Sequence, residues 1–157
     1  MKKQFALIAA GILLVANSCT TVTKTKTDGS SAQTTTENTI IGKKWKLVEL
    51  FGKPVADQVN GKEAFLKLSQ QDKNYVYQAS GGCNGIRGTF TTNTTASVIR
   101  FSPGASTRMA CPDMSVEAGI NKVLETADNY SVSKAGDFLS LNKGRMAPLA
   151  KFHAVAE

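Results

Sequence analysis

Ala64-Phe65-Leu66-Lys67-Leu68, then the polar stretch Gln70-Gln71-Asp72-Lys73-Asn74, then Tyr75-Val76-Tyr77-Gln78-Ala79 read together as a β-hairpin. Two short runs rich in aromatic and branched residues flank a segment that favours a turn, which is the pattern of paired antiparallel strands. The rhythm repeats on both sides. Upstream, Trp45-Lys46-Leu47-Val48-Glu49-Leu50 alternates as a first strand and stops at Phe51-Gly52-Lys53-Pro54. Downstream, Gly88 to Thr92 and Ser97 to Phe101 form a second pair across Asn93-Thr94-Thr95. Tyr130 to Ser133, Phe138 to Leu141 and Met146 to His153 add three more strands, punctuated by Gly136-Asp137 and Lys143-Gly144.

One segment departs from the two-residue period. Between Asp113 and Asp128, the residues Met114, Ile120, Val123, Leu124 and Ala127 recur at spacings of three and four, with Glu117, Asn121, Lys122 and Glu125 elsewhere. That spacing predicts an amphipathic helix. Asp113 or Ser115 is placed to cap it, and Glu117 suits the positive end of the helix dipole. Gly119 weakens such a helix by up to about 1 kcal/mol relative to alanine. The fold class expected is therefore α+β, a single compact domain with a mainly antiparallel, curled, barrel-like sheet packed with one main helix at about 113–128.

The residues ahead of this domain have another character. Lys2 and Lys3 precede the apolar run Phe5 to Val15, and Ala16-Asn17-Ser18 stands before Cys19. The run is too short for a membrane-crossing helix, which needs about 20 residues, and has the layout of an export signal. With a cysteine directly after the small residues, the expectation is a lipoprotein signal peptide at 1–18 and a lipidated Cys19. At about 0.8 kcal/mol per buried methylene, two or three acyl chains would hold the chain on a membrane. Residues 19–39 carry the lipidated Cys and a Thr/Ser-rich stretch with almost no apolar groups, the composition of a flexible tether. As a coil it would span roughly 20–30 Å. Residues 40–157 then form the folded domain. Localisation in the cell envelope follows, with the outer membrane expected because Thr20, and not aspartate, comes after Cys19.

The net charge of +7 overstates the domain's basicity, since residues 40–157 hold 15 Lys and Arg against 10 Asp and Glu. The cations are spread along the chain without interleaved aromatic residues, so no nucleic-acid groove is indicated. No cofactor is expected and no metal site, for the chain has one histidine and no C-x-x-C pair. Gly81-Gly82-Cys83-Asn84-Gly85 lacks the G-K-[ST] ending of a phosphate loop and leads into a strand.

Trp45-Lys46-Leu47 with Gly52-Lys53-Pro54-Val55, then Gly82-Cys83-Asn84-Gly85-Ile86-Arg87-Gly88-Thr89-Phe90, then Ser106-Thr107-Arg108-Met109-Ala110-Cys111-Pro112 ahead of a helix resemble the META-domain family, which includes the heat-shock protein HslJ. The resemblance covers about Ile40 to Phe152. It implies a compact β-rich domain with a helix in secreted or lipid-anchored envelope proteins, some linked to heat stress, novobiocin tolerance, motility or secretion. It supplies no defined ligand or reaction.

Cys83 and Cys111 are the thiols left after lipidation, and in an oxidising compartment they read as a structural disulfide, with unpaired buried thiols or a redox role as the alternatives. Closing that loop is worth about 3–4 kcal/mol in the chain-entropy model. Asn84 reads as a turn residue that ties neighbouring backbone, and Arg108 as a guanidinium pinning backbone carbonyls or facing an anionic partner. Arg87 and Thr107 complete the set of possible binding or loop-organising residues. No catalytic residue is assigned, because His153 sits near the chain end away from any evident nucleophile. The expected function is a membrane-anchored, non-enzymatic binding, assembly or stress-related module, with an envelope protein as its possible partner. The alternatives are a thiol-dependent redox protein or enzyme using Cys83 or Cys111, and a carrier of a lipid or other apolar ligand inside the curled sheet.

Overall fold

The computed structural model describes residues 39–156, so the proposed signal peptide, Cys19 and nearly all of the tether lie outside the described residues. Within them, ten strands and one helix follow in the order β1 (Lys43–Leu50), β2 (Lys53–Pro54), β3 (Phe65–Gln71), β4 (Asn74–Ser80), β5 (Gly85–Asn93), β6 (Val98–Phe101), β7 (Ala105–Ser106), α1 (Ser115–Thr126), β8 (Asn129–Val132), β9 (Phe138–Asn142) and β10 (Ala150–Val155). Every strand pairing is antiparallel. Eight strands run β1-β3-β4-β5-β6-β8-β9-β10, and β10 pairs back onto β1 to close a barrel. The short β2 and β7 sit beside β1 and β5.

Closure works because alternate residues of each strand point inward. Trp45, Leu47, Leu66, Leu68, Tyr77, Ile99, Leu139, Leu141 and Phe152 fill the interior and are almost wholly shielded from solvent. Each such side chain contributes about 1.5–3 kcal/mol by leaving water. The Trp45 indole N–H also has its partner, donating to the Ile40 carbonyl at 2.9 Å. Tyr75, Phe90, Phe101 and Tyr77 form a run of ring contacts at centroid distances of 5.2–5.9 Å.

The helix caps one end of the barrel. Ile120, Val123 and Leu124 join the common core, and Gly119 lets α1 press onto β1, since a Cβ there would lie 2.4 Å from Leu50 Cδ2. The helix is shorter than expected at both ends. The N-cap position falls to Met114, which has no side-chain capping bond, and not to Asp113 or Ser115. Asp113 Oδ1, one residue earlier, accepts from the Ser115 hydroxyl and N–H at 2.6 and 2.8 Å, and these hold the Asp113 carboxyl below its usual range. At the other end Ala127 turns extended with ψ 136°, and the Asp128 N–H goes to the Asn142 carbonyl.

Strand limits differ where turn chemistry intervenes. Gln70, Gln71 and Asn74 belong to the hairpin strands, because the turn needs only Asp72 and Lys73, with Asp72 at φ 54°. The last strand begins at Ala150 and not at Met146. Proline at 148 has no N–H for a ladder, and the segment instead loops back through Leu149 N–H to the Leu141 carbonyl at 2.8 Å.

A very close approach occurs at Gly81, where a Cβ would lie 2.3 Å from Glu117 Cα and 2.4 Å from its nitrogen. Gly85, four residues on, faces open space. Gly81→Ala is expected to push α1 off the sheet and cost about 3 kcal/mol, the upper range for overpacking. Gly85→Ala should stay within about 0.5 kcal/mol of the parent. Urea denaturation of both variants checks this, and equal stabilities would contradict it.

Candidate functional site

At the helix end of the barrel, the turn from β4 into β5 meets the long segment between β7 and α1. Gly82 takes φ +96°, and any Cβ there would lie 2.5 Å from the Val59 carbonyl oxygen, so the turn demands glycine. This bend buries Cys83 and Asn84. Asn84 then uses nearly all its hydrogen-bonding capacity. Its backbone N–H donates to Glu117 Oε2 at 2.6 Å and its Nδ2 donates to Glu117 Oε1 at 2.9 Å. Nδ2 also donates to the Met109 carbonyl at 3.0 Å, while Oδ1 accepts from Met109 N–H at 2.7 Å and from the Thr107 hydroxyl at 2.8 Å.

Glu117 is the residue that sequence reasoning missed. The spacing sets it off the apolar stripe and near the positive end of the helix dipole, yet it is 5% exposed. The signal was present: positions 117, 120, 124 and 127 share one helical stripe, and an acid in that stripe has to find donors inside. Both its oxygens accept from N–H groups of Asn84, so the carboxylate spans the helix and the sheet turn.

The disulfide is present. Cys83 and Cys111 are bonded with their Cα atoms 6.0 Å apart, which excludes the free-thiol alternatives for this state. Thr107 is tied twice more, by Gly85 N–H to its hydroxyl at 3.2 Å and by its own N–H to the Gly85 carbonyl at 3.2 Å. The stretch from Pro103 to Ala110 is exposed throughout, yet its backbone is held at Ala105–Ser106 by β5, at Thr107 by the Gly85 carbonyl, at Met109 by Asn84, and just beyond it by the disulfide at Cys111. Arg108 takes no part in this. Its guanidinium is exposed and makes no hydrogen bond or ion pair among the described residues; the backbone it was expected to hold is held by Asn84. Arg87 stands on β5 opposite Gln78 and Ala105, exposed and without a charged partner among the described residues.

The loop therefore presents Arg108 and Met109, the latter 50% exposed, on a backbone that cannot easily rearrange. Beside it, a cleft of about 510 Å³ opens between the β1–β2 turn and the start of α1, lined by Leu50, Phe51, Val55, Val59, Asn60 and Val116. Asn60 closes its far wall by exchanging two hydrogen bonds with the Asp113 backbone at 2.7 and 3.1 Å. His153 lies elsewhere, exposed on β10 with its ring 4.9 Å from that of Phe138. No group of three metal-ligating side chains occurs among the described residues.

With this geometry in place, comparison with known proteins is direct. The META domain family model matches residues 37–156. The chain belongs to the META domain family. An NMR structure of a protein from Burkholderia xenovorans is similar to it, with 22% identity, TM-score 0.58, and coverage of 73% of this chain and 83% of that one. A crystal structure of a DUF4847 family protein from Bacteroides vulgatus aligns at 14% identity and TM-score 0.49, over 71% of this chain and 91% of that one. The first likeness supports the fold. No curated protein matches the sequence.

Removing either half of the bridge between helix and turn strands buried polar groups, so Asn84→Ala and Glu117→Ala should each cost about 1–3 kcal/mol. The double variant should cost less than their sum by about 1 kcal/mol or more, the mark of one shared interaction. A cycle in urea that adds within error would disprove the coupling. Separately, Cys83→Ser with Cys111→Ser is expected to lose about 3–4 kcal/mol, which thermal unfolding with and without reductant should reproduce in the parent.

Proposed function

We propose that this META-domain protein is an envelope lipoprotein, anchored through Cys19 and probing its surroundings with the pinned loop 105–112 as a non-enzymatic binding or assembly module. The observation that carries the reading is the state of that loop. Its backbone is held by a buried side-chain network and a disulfide while its side chains, Arg108 and Met109 foremost, face solvent. Ordering a loop before binding removes part of the entropy cost of association, and arginine and methionine are enriched in interface cores. A catalytic loop would instead bring a nucleophile and a base together, whereas here both cysteines are bonded to each other. The redox alternative needs that bond to cycle; Cys83 is 3% exposed behind the turn, which leaves the half-buried Cys111 as the sulfur an external thiol would have to reach.

The anchor and the loop are tested apart. Growth with labelled palmitate should label the wild-type chain and leave Cys19→Ser unlabelled and released from the membrane fraction. For the loop, a photo-crosslinking residue at Met109 in intact cells should give a discrete adduct that one at Lys73, in the hairpin turn at the opposite end of the barrel, does not. Equal adducts from both positions, or none from Met109, would reject the loop as the binding surface.

A further inference from the structure

The barrel is closed unevenly. Seven of its eight seams are ladders of several residues, but β6 meets β8 only at Val98 and Asn129. Two backbone bonds beside it, Ile99 N–H to the Asp128 carbonyl and Tyr130 N–H to the Ser97 carbonyl, complete the seam. Beyond Ile99 the strand has a partner on one side alone. Phe101 pairs with Phe90 and Arg100 with Thr91 across β5, and Ser102 N–H reaches the Thr89 carbonyl at 2.9 Å. Bonding alternates along an antiparallel ladder, so with Ser102 and Ile99 aimed as they are, the Phe101 N–H and C=O point away from β5. A cleft of about 420 Å³ lies between this segment and α1, with Tyr77, Ile86, Phe101 and Leu124 among its walls and Asn121 and Glu125 on the helix side.

We propose that this edge takes an extended peptide as an added strand, seating one apolar side chain against Phe101 and Leu124 and a cationic side chain beside Glu125. An open edge is a template that only extended backbone can satisfy, and the apolar floor beside it supplies the pocket that selects alternate side chains. Charge decides the rest. Glu125 is the acid of the cleft, and its contact with Lys122 is 3.9 Å long between two exposed groups, an ion pair too weak to compete with a better-placed cation. The edge is also short, since Pro103 and Gly104 interrupt it before β7, so binding should be weak and reversible. Gly104 itself is held against the Tyr77 hydroxyl, where a Cβ would lie at 2.4 Å, and that hydroxyl donates to the Ser102 carbonyl at 3.0 Å, keeping the edge in place. The proposal goes beyond the loop reading and does not depend on it, because the cleft lies on the other side of β7 from the bonds that pin Thr107 and Met109.

The probe is the blocked heptapeptide Thr-Val-Thr-Leu-Thr-Lys-Thr, titrated into the full-length chain, ¹⁵N-labelled, in mild detergent. Amide shifts are expected at 100–102 and 121–125. N-methylation of the peptide on its edge-facing residues should weaken binding by about tenfold or more, the loss of about 1.4 kcal/mol. Glu125→Lys, an exposed change that leaves the core untouched, should weaken the lysine peptide and favour its glutamate counterpart. An N-methylated peptide that binds equally well would overturn strand addition, as would the absence of shifts at millimolar peptide. Shifts confined to 107–112 would overturn the edge while leaving the loop reading intact. Dimerisation through residues 100–106 without peptide would make a second copy the occupant and likewise reject the proposal. Conversely, failure of the Met109 crosslink with a positive titration would sink the loop and leave the edge.

Discussion

A buried carboxylate that spans a helix and a sheet turn is the constraint on which the rest of this end of the molecule depends. Taking Glu117 out of water is costly unless its oxygens find donors, and both do, on the backbone and side chain of a single residue, Asn84. The requirement propagates backwards into sequence. For Glu117 to reach Asn84, α1 has to lie against the end of β4, and only glycine at 81 leaves room for it. For the Asn84 N–H to point at the helix, the chain has to bend at Gly82 with positive φ. It also propagates forwards. With one face of Asn84 committed to the helix, its Oδ1 and the remaining reach of Nδ2 are turned toward Thr107 and Met109. One asparagine therefore sets both the helix position and the path of the loop before it. The disulfide acts on the same two segments, so covalent and polar constraints reinforce each other where the hydrophobic core no longer reaches.

Much of the barrel was legible because a two-residue period is a local signal. The hairpin of β3 and β4, the strand that stops before Phe51 and the amphipathic spacing of α1 are each written in fewer than twenty consecutive residues. Closure is not local. The pairing of Lys44 with Val155 joins residues at opposite ends of the domain, and no pattern within either strand announces its neighbour. The misplaced start of the last strand has a similar cause. Met146 to Leu149 contains enough apolar residues to look like sheet, but the missing N–H of Pro148 and the return of Leu149 to Leu141 decide against it.

The site was legible by halves for a different reason. Cysteines and glycines state their chemistry in their identity, so the Cys83–Cys111 bond and the bend before Asn84 could be expected from residue type and resemblance. Arginine and glutamate do not. Arg108 had the side chain to hold a loop, and Glu117 had the charge for a helix start, but each role depends on where the side chain finds its partners in three dimensions. Asn84 lies 25 residues from Met109 and 33 from Glu117 along the chain, and its compact amide supplies the donors and acceptor together. A short planar group fixed at its base loses little entropy on making several bonds, whereas a long guanidinium has to be immobilised first.

The two ends of the loop segment are consequently unlike in mechanical character. From Thr107 to Cys111 the backbone is fastened by side chains and sulfur; from Arg100 to Gly104 it is fastened on one side only, by β5 and the Tyr77 hydroxyl. The helix, and not another strand, stands opposite that second stretch, and a helix offers no ladder of backbone partners. A barrel whose weakest seam is bridged by a packed helix can keep its core closed while leaving strand edge accessible, because burial of Ile120, Val123 and Leu124 replaces the missing hydrogen bonds as the force holding the seam. Stability and accessibility are thereby assigned to different interactions: apolar packing shuts the interior, and unpaired backbone remains at the surface beside it. On the proposal above, an added strand would engage the Phe101 backbone groups and leave closure of the interior to apolar packing.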